Sequence, residues 1–381
     1  MIIGIDVSRN RSGGAKAHII GILKEFDETL LKEIREIHIW GYSELLAELP
    51  KKKWIIKHCP KVLSKSIFHQ LWWQYQTLPK EAKNFGIDIM FNTDAGSLCP
   101  FSPSVTLSQD MLSYEKGEIN RYGFGLKRVR LELLKYVQNK SLKNATSALF
   151  LTDYAANIIQ TYTGKLIGFN VIPHGVNQSF NLSDSVNNRY DLLDGKAIKC
   201  VYVSNVDLYK HQWNVARSIH HLRDKGYNIT CTFIGGGSGK AQSIFDKTLQ
   251  SIPSSDAFLE QMNFIPHKEL PALLRKFDIF IFASSCENMP ITLIEGMSTG
   301  LPIASSNRGP MPEFEVIIPG VTGLFFEKDN IIDLTNKIYE WLTLATERSQ
   351  IRQDCYKIVD EKYNPHYQVR VLKNYYENTS N

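Results

Sequence analysis

This chain of 381 residues has no apolar run approaching the ~18 residues that a bilayer-crossing helix needs, which argues against a transmembrane segment. The first segment, Met1 to Ser8, lacks the charged n-region and small-residue cleavage site of a secretory leader and reads as a buried strand. Six cysteines (Cys59, Cys99, Cys200, Cys231, Cys286 and Cys355) are scattered without a C-x-x-C pair, so neither a zinc site nor a disulfide framework is supported. Thiols of this kind suit a reducing compartment, and the cytoplasm is the expected location. No His/Cys/carboxylate cluster is present, and no metal is expected. The glycine run Gly235-Gly236-Gly237 is not followed by G-K-[ST], which excludes a Walker loop. No nucleic-acid module surrounds the basic residues, so no nucleic-acid partner is expected. Internal repeats and low-complexity segments are also missing.

What is present is a globular composition, 43% hydrophobic and 22% charged, in a chain long enough for two domains. The net charge of +5 is unevenly placed. Its excess lies in Lys51, Lys52, Lys53, Lys57, Lys61 and Lys65, and again in Lys127, Arg128, Arg130, Lys135, Lys140 and Lys143. Trp54, Ile55, Ile56, Trp72 and Trp73 accompany the first stretch, and Leu131, Leu134 and Val137 the second. Two explanations fit: a face that rests on anionic lipid, or a solvated helix face whose apolar stripe is core.

Short apolar runs alternate with helical-period segments, the pattern of βα units around parallel sheets. Strands are expected at Ile2–Val7, Ile37–Trp40, Ile87–Asn92, Val105–Leu107, Ala148–Leu151 and Val171–Val176. Ser12-Gly13-Gly14 reads as a tight turn before a helix at Ala15–Phe26, and a basic helix is expected near 126–143. Thr152-Asp153 suits a helix cap. Residues 177–197, rich in Asn, Ser and Asp, read as a linker. A second series follows, with strands at Cys200–Ser204, Ile229–Ile234, Phe258–Phe264, Ile279–Ala283 and Leu301–Ser305. Its helices are expected at Trp213–Lys225, Leu270–Lys276, 291–299 and Ile332–Leu344, with helical structure again over Ile351–Asn378. The domains are therefore 1–177, a linker at 178–198, 199–350, and C-terminal helices 351–381 packing back on the N-terminal domain.

The most informative stretch is 283–313. Glu287 and Glu295 are separated by seven residues, with a polar turn, Pro290 and an apolar helical segment between them. Glu287 falls at the carboxyl end of a strand, where open α/β sheets bind ligands. Pro290 suits the first helical position, and the helix points its positive end at whatever lies there. A nucleotide sugar would offer a diphosphate to that dipole and hydroxyls to the glutamates. A surface glutamate plus a glutamate that merely favours the dipole fits the same spacing.

Several motifs in order distinguish the two. Glu287-x7-Glu295 resembles the E-x7-E motif of family 4 retaining glycosyltransferases. Gly300 to Ser305 resembles that family's G-x-P-V-V-A-S, Glu313 its following P-E, and Pro319 to Phe325 its N-G-x-x-G-x-L-x. Val171 to Asn177 is similar to the inter-domain V-I-P-N-G-V-D, and Phe277 to Ser284 to A-D-V-F-V-x-P-S. The likeness covers roughly 145–345, and the N-terminal part only in outline.

The resemblance implies an α/β GT-B fold: two Rossmann-like domains facing each other across a cleft, the first holding the acceptor and the second the nucleotide sugar. It implies Glu287, Lys210 and Asp110 as catalytic residues, Lys210 as the diphosphate lysine. For the donor it implies Glu295, Gly235, Gly236, Gly237, Asn205, Asn288, Met289, Pro290, Ile291, Gly13, Gly14 and Arg308. Departures are visible. Asn205 replaces the family's arginine five residues before the lysine, Gln109 stands where relatives carry histidine before Asp110, and Asn288-Met289-Pro290 replaces Gly-Phe-Gly. Arg308 is the candidate to supply the missing cation. The implied activity is transfer of a sugar from a nucleotide diphosphate to a glycan or lipid-linked glycan, with retention, without cofactor or metal. Peripheral contact with the inner face of an anionic membrane is part of that expectation. A nucleotide-sugar epimerase of the same fold and a catalytically silent scaffold are the alternatives.

Overall fold

The structure, a computed structural model, describes residues 1–11, 13–26, 34–181, 197–313, 317–327, 330–343 and 348–363. It divides into two compact units, of which the described parts are residues 1–175 and 176–363.

The first unit runs β1 (Ile2–Asp6), α1 (Gly13–Glu25), β2 (Glu36–Trp40), α2 (Ser43–Glu48), β3 (Ile55–His58), α3 (Ile67–Trp72), α4 (Leu78–Asn84), β4 (Ile89–Asn92), β5 (Ser104–Leu107), α5 (Leu126–Asn144), β6 (Ser147–Phe150), α6 (Asp153–Thr163) and β7 (Phe169–Val171). All strand pairs are parallel, in the order β3-β2-β1-β4-β5-β6-β7. β1, β4, β5 and β6 are buried along their whole length, as a parallel sheet covered on both faces requires. Trp40, Trp73, Leu78, Ile87, Met90 and Phe101 pack into one core cluster, and the Trp40 indole N–H donates to Glu81 Oε2 at 2.8 Å.

The second unit repeats the plan with β8 (Ile198–Val203), α7 (Gln212–Asp224), β9 (Ile229–Ile234), α8 (Gly239–Ser251), β10 (Leu259–Met262), α9 (Leu270–Leu274), β11 (Ile279–Phe282), α10 (Ile291–Ser298), β12 (Ile303–Ser306), β13 (Gly323–Phe326), α11 (Ile331–Thr343) and α12 (Arg348–Tyr363). Its parallel sheet is ordered β10-β9-β8-β11-β12-β13. The strand order reverses between β1 and β4 in one sheet and between β8 and β11 in the other. Such switch points are where open α/β sheets take ligands.

Several elements differ from the sequence reading for physical reasons. Gly13 and Gly14 are not a turn but the first residues of α1. The first residues of a helix lack an intrahelical partner for their N–H groups, so weak helix formers cost little there. The basic stretch 51–65 contains edge strand β3 rather than a helix, and Lys57 Nζ donates to the carbonyls of Leu46 and Leu49 (2.7 and 2.8 Å) at the end of α2. Pro290 is the N-cap of α10 rather than its first residue, with φ −81° and ψ 90°, and its carbonyl accepts the N–H groups of Leu293 and Ile294. The strand expected over 171–176 ends at Val171. α8 and β13 are additions that the sequence reading did not contain. Thr152 caps α6 as expected, its Oγ1 accepting from Ala155 N at 3.1 Å. α12 packs on α10 within the second unit. Most of the 178–198 linker, and residues 364–381 of the stretch 351–381 that is expected to pack back on the N-terminal domain, lie outside the described residues.

Candidate functional site

The second sheet's switch point brings two loops together. β8 leads into the loop carrying Lys210, and β11 into the loop carrying Glu287, followed at once by α10. Glu287 Oε1 accepts an ion-paired hydrogen bond from Lys210 Nζ, with side chains only 9% and 15% exposed. The Lys210 ammonium also lies 5.0 Å from the Tyr209 ring centroid and 5.2 Å from that of Phe282. These aromatic faces favour the cation electrostatically. The Tyr202 hydroxyl, in the buried strand β8, donates to the Lys210 carbonyl at 2.5 Å. Burial first, and then the Glu287 charge, push that phenol well above its usual range, so it stays a donor.

The two loops are also joined through their backbones. Ser285 N–H donates to the Tyr209 carbonyl at 2.8 Å, and His211 Nε2 lies 3.0 Å from Ser285 Oγ. Asn288 and Met289 are buried beside them. A Cβ added at Gly309 would lie 3.6 Å from Glu287 N, so the loop after β12 flanks the glutamate. Its neighbour Arg308 is turned to Glu327, Nη2 to Oε2 3.1 Å. In this structure the replacement cation is therefore engaged on the surface rather than with Glu287.

One helix further in, Glu295 is 3% exposed and its Oε1 accepts from His267 Nε2 at 2.6 Å. α10 can lie this close to β11 because residue 296 is glycine, where a Cβ would stand 2.6 Å from the Phe280 ring. Glu287 and Glu295 thus belong to one loop-helix unit, as the spacing requires.

The glycine run following β9 separates into two kinds of position. A Cβ on Gly235 would meet the Ser204 carbonyl oxygen at 2.2 Å, and one on Gly237 the Val206 oxygen at 2.5 Å. These two let the β9 loop approach the β8 loop, next to Asn205. Gly236 has only Asn263 Oδ1 within reach, at 3.6 Å, and its space is open. Asn205 is exposed, and its carbonyl accepts from Gln212 Nε2 at 3.0 Å.

Asp110, Gly13 and Gly14 belong to the first unit. The Asp110 carboxylate accepts from Leu112 N at 3.0 Å in the turn after β5, and burial raises its pKa, with the Asp94 charge adding to the shift. Gln109, in the place of the expected histidine, donates to the Thr93 carbonyl at 2.6 Å. At the carboxyl ends of β1 and β4 the Asp6 carboxylate accepts from Ser8 N, Gln74 Nε2 and Ser97 Oγ (3.0, 2.8 and 3.1 Å). Gln74 reaches it from a π-helical turn at Trp73–Thr77. Neither this knot nor His211, Ser285, His267 and Tyr202 carry a sequence signal, because their partners are distant along the chain. Among the described residues no group of three or more His, Cys, Asp or Glu could hold a metal.

Residues 187–358 match the family model described as Glycosyl transferases group 1, which places Lys210, Glu287 and Glu295 inside the matched stretch. Over 245 residues the chain is 22% identical to the 2-deoxystreptamine N-acetyl-D-glucosaminyltransferase of Niallia circulans, an alignment covering 62% of this chain and 60% of that relative's length. The structure is similar to sucrose-phosphate synthase from Thermosynechococcus elongatus (TM-score 0.80, 13% identity, 99% of this chain and 98% of that one). It is also similar to Anabaena HepE in complex with UDP-glucose (TM-score 0.75, 14% identity, 99% and 100%). These likenesses are of fold, two Rossmann-like halves of GT-B type, the second holding the stretch that matches the group 1 model.

Proposed function

We propose that the protein is a retaining, metal-independent glycosyltransferase that moves a sugar from a nucleotide diphosphate to a glycan or lipid-linked glycan of the cell-surface polysaccharide type. The observation that carries this reading is the Lys210–Glu287 pair, held at a sheet switch point and at the N-terminus of α10. As a glycosyl bond to a diphosphate breaks, negative charge builds on the leaving group. A preset ammonium and the positive end of a helix stabilise that charge without reorganising. Glu287 then accepts hydrogen bonds from the sugar hydroxyls, and Glu295, oriented by His267, from the ribose. Gly235, Gly236, Gly237, Asn205, Asn288, Met289, Pro290 and Ile291 line the donor, with Arg308 at its edge after release from Glu327. In the first unit, Asp110 is assigned to acceptor or sugar contacts, and Gly13 and Gly14 to close approach of backbone to a donor phosphate or the acceptor. The acceptor hydroxyl attacks from the face that the diphosphate leaves, and a diphosphate oxygen takes its proton. No protein base and no further cofactor are then required.

The solved complex of HepE with UDP-glucose and the glucosaminyl relative make UDP-glucose and UDP-N-acetylglucosamine the first donors to try. Glu287→Ala should abolish turnover while nucleotide binding persists; unchanged turnover would remove Glu287 from its role.

We infer further that the first unit rests on an anionic membrane. Leu131, Gln138 and Leu142 form the buried face of α5. Leu126, Val129, Leu133 and Tyr136 form a second stripe on its opposite side, 55–89% exposed, with exposed Arg130, Lys140 and Lys143 along it and exposed Phe124 just before it. No described helix is long and apolar enough to cross a membrane. The protein should sediment with vesicles containing anionic lipid but not with neutral vesicles. Arg130→Gln with Lys140→Gln should weaken that binding, and equal binding by this variant would exclude α5 as the contact.

A further inference from the structure

Lys210 is followed by backbone of a kind that side chains seldom adopt. His211 has φ 54° and ψ 32°, left-handed, and it is one of two such non-glycine residues among those described. A strained residue of this sort persists only where its surroundings fix it. The surroundings are identifiable here. The imidazole is 1% exposed, stands edge-on to Trp213 at 5.6 Å, and contacts Ser285 Oγ at 3.0 Å. The His211 carbonyl accepts Asn214 N–H at 3.0 Å, which starts α7. Ser285 in turn lies two residues before Glu287 and is tied to the Tyr209 carbonyl through its N–H. Lys210 is therefore bracketed by Tyr209 and His211, and both are fastened to Ser285.

We propose that His211 is a positioning residue which, through its left-handed backbone and its contact with Ser285, holds the Lys210 ammonium where a donor's diphosphate binds. This rests on the assignment of Lys210 and Glu287 to the donor site made above. A histidine that merely filled space would affect stability, and would affect every ligand of the site alike. A histidine that aims Lys210 would affect only ligands that carry phosphate.

The test compares two ligands of the same base. Affinities for the diphosphates UDP, GDP, ADP and dTDP are measured on the wild-type chain, and the one that binds is then compared with its nucleoside. His211→Gly keeps the left-handed backbone at no steric cost but removes the imidazole. It should weaken the diphosphate at least tenfold and leave the nucleoside within twofold. Ser285→Ala, which also deletes the 3.3 Å bond from Ser285 Oγ to the Tyr209 carbonyl, should weaken the diphosphate at least as much, and the double variant should be no weaker than Ser285→Ala alone, since the His211 link is already lost there. His211→Gln, which retains a donor at about the reach of Nε2, should recover most of the loss. Diphosphate affinity unchanged in His211→Gly, or an equal loss for nucleoside and diphosphate, would overturn the proposal. So would losses that add in the double variant. Lys210→Ala separates the levels. If it loses diphosphate affinity while His211→Gly does not, only the positioning role falls. If Lys210→Ala loses nothing, or no diphosphate binds the wild type, the donor-site assignment falls as well.

Discussion

Gly235 and Gly236 are neighbours in sequence, yet substitution by alanine should have opposite consequences. Gly235 has φ +126°, and its Cβ would stand 2.2 Å from the Ser204 carbonyl oxygen, a backbone atom that cannot swing away. The disfavoured backbone conformation and the overlap each cost on the order of 1–3 kcal/mol, so a total of about 3 kcal/mol is a conservative figure. In a unit of this size that lowers the melting temperature by roughly 6–12 °C. Gly236 lacks the left-handed φ and meets only Asn263 Oδ1 at an ordinary 3.6 Å. Alanine there changes stability by less than about 1 kcal/mol and can raise it, by restricting the unfolded chain. If the open space above Gly236 receives the nucleotide, the added methyl should instead weaken diphosphate binding about tenfold, or ~1.4 kcal/mol. Thermal melts with and without UDP read both quantities on the same samples. Equal destabilisation by the two variants would refute the packing account. A stable Gly236→Ala variant with unchanged ligand affinity would remove Gly236 from the site.

Stability should fall as the solution is acidified, through His18 in particular. Burial holds this imidazole at about 3 in the fold, against its ordinary 6.5. The unfolded chain therefore binds a proton that the fold refuses, and the contribution is complete above pH 6.5 and lost progressively down to about pH 3. The slope is about 1.4 kcal/mol per pH unit, so about 2 kcal/mol is lost by pH 5. Melts from pH 7.5 to 5 should show it, and His18→Gln should be shallower by that one proton; an equal slope in both would contradict the burial argument. His174, which packs on His18 at 3.8 Å between ring centroids, is lowered for the same reason and steepens the decline. Thr152→Ala, which deletes the cap of α6, should cost about 1 kcal/mol by denaturant titration, and no change would show that the Ala155 N–H finds another acceptor.

The strands that build both sheet centres were legible because parallel strands buried on both faces read as short apolar runs, as in Ile279–Phe282. The E-x7-E spacing was legible for a local reason: one loop and the helix that follows it carry both glutamates. Elsewhere the sequence pattern pointed the wrong way. Lys51 to Lys57 read as a charged face because an edge strand buries one side only and Lys57 spends its charge on carbonyls of α2. The start of α1 was misplaced because Gly13 and Gly14 carry a turn signature that a helix's first turn tolerates. α8 is hidden in the sequence by the glycine-rich approach that precedes it. The contacts that aim the site, His211 to Ser285 and His267 to Glu295, join residues 74 and 28 positions apart. Nothing local announces them. Arg308 shows the converse: a cation at a plausible place in sequence whose partner, Glu327, is set by tertiary structure.

Whether a nucleotide diphosphate binds at the Lys210–Glu287 pair is read from a crystal structure of the chain soaked with UDP. A phosphate oxygen should lie about 3 Å from Lys210 Nζ, at hydrogen-bond distance, with the diphosphate facing the N-terminus of α10. A diphosphate bound away from Lys210 would refute that placement.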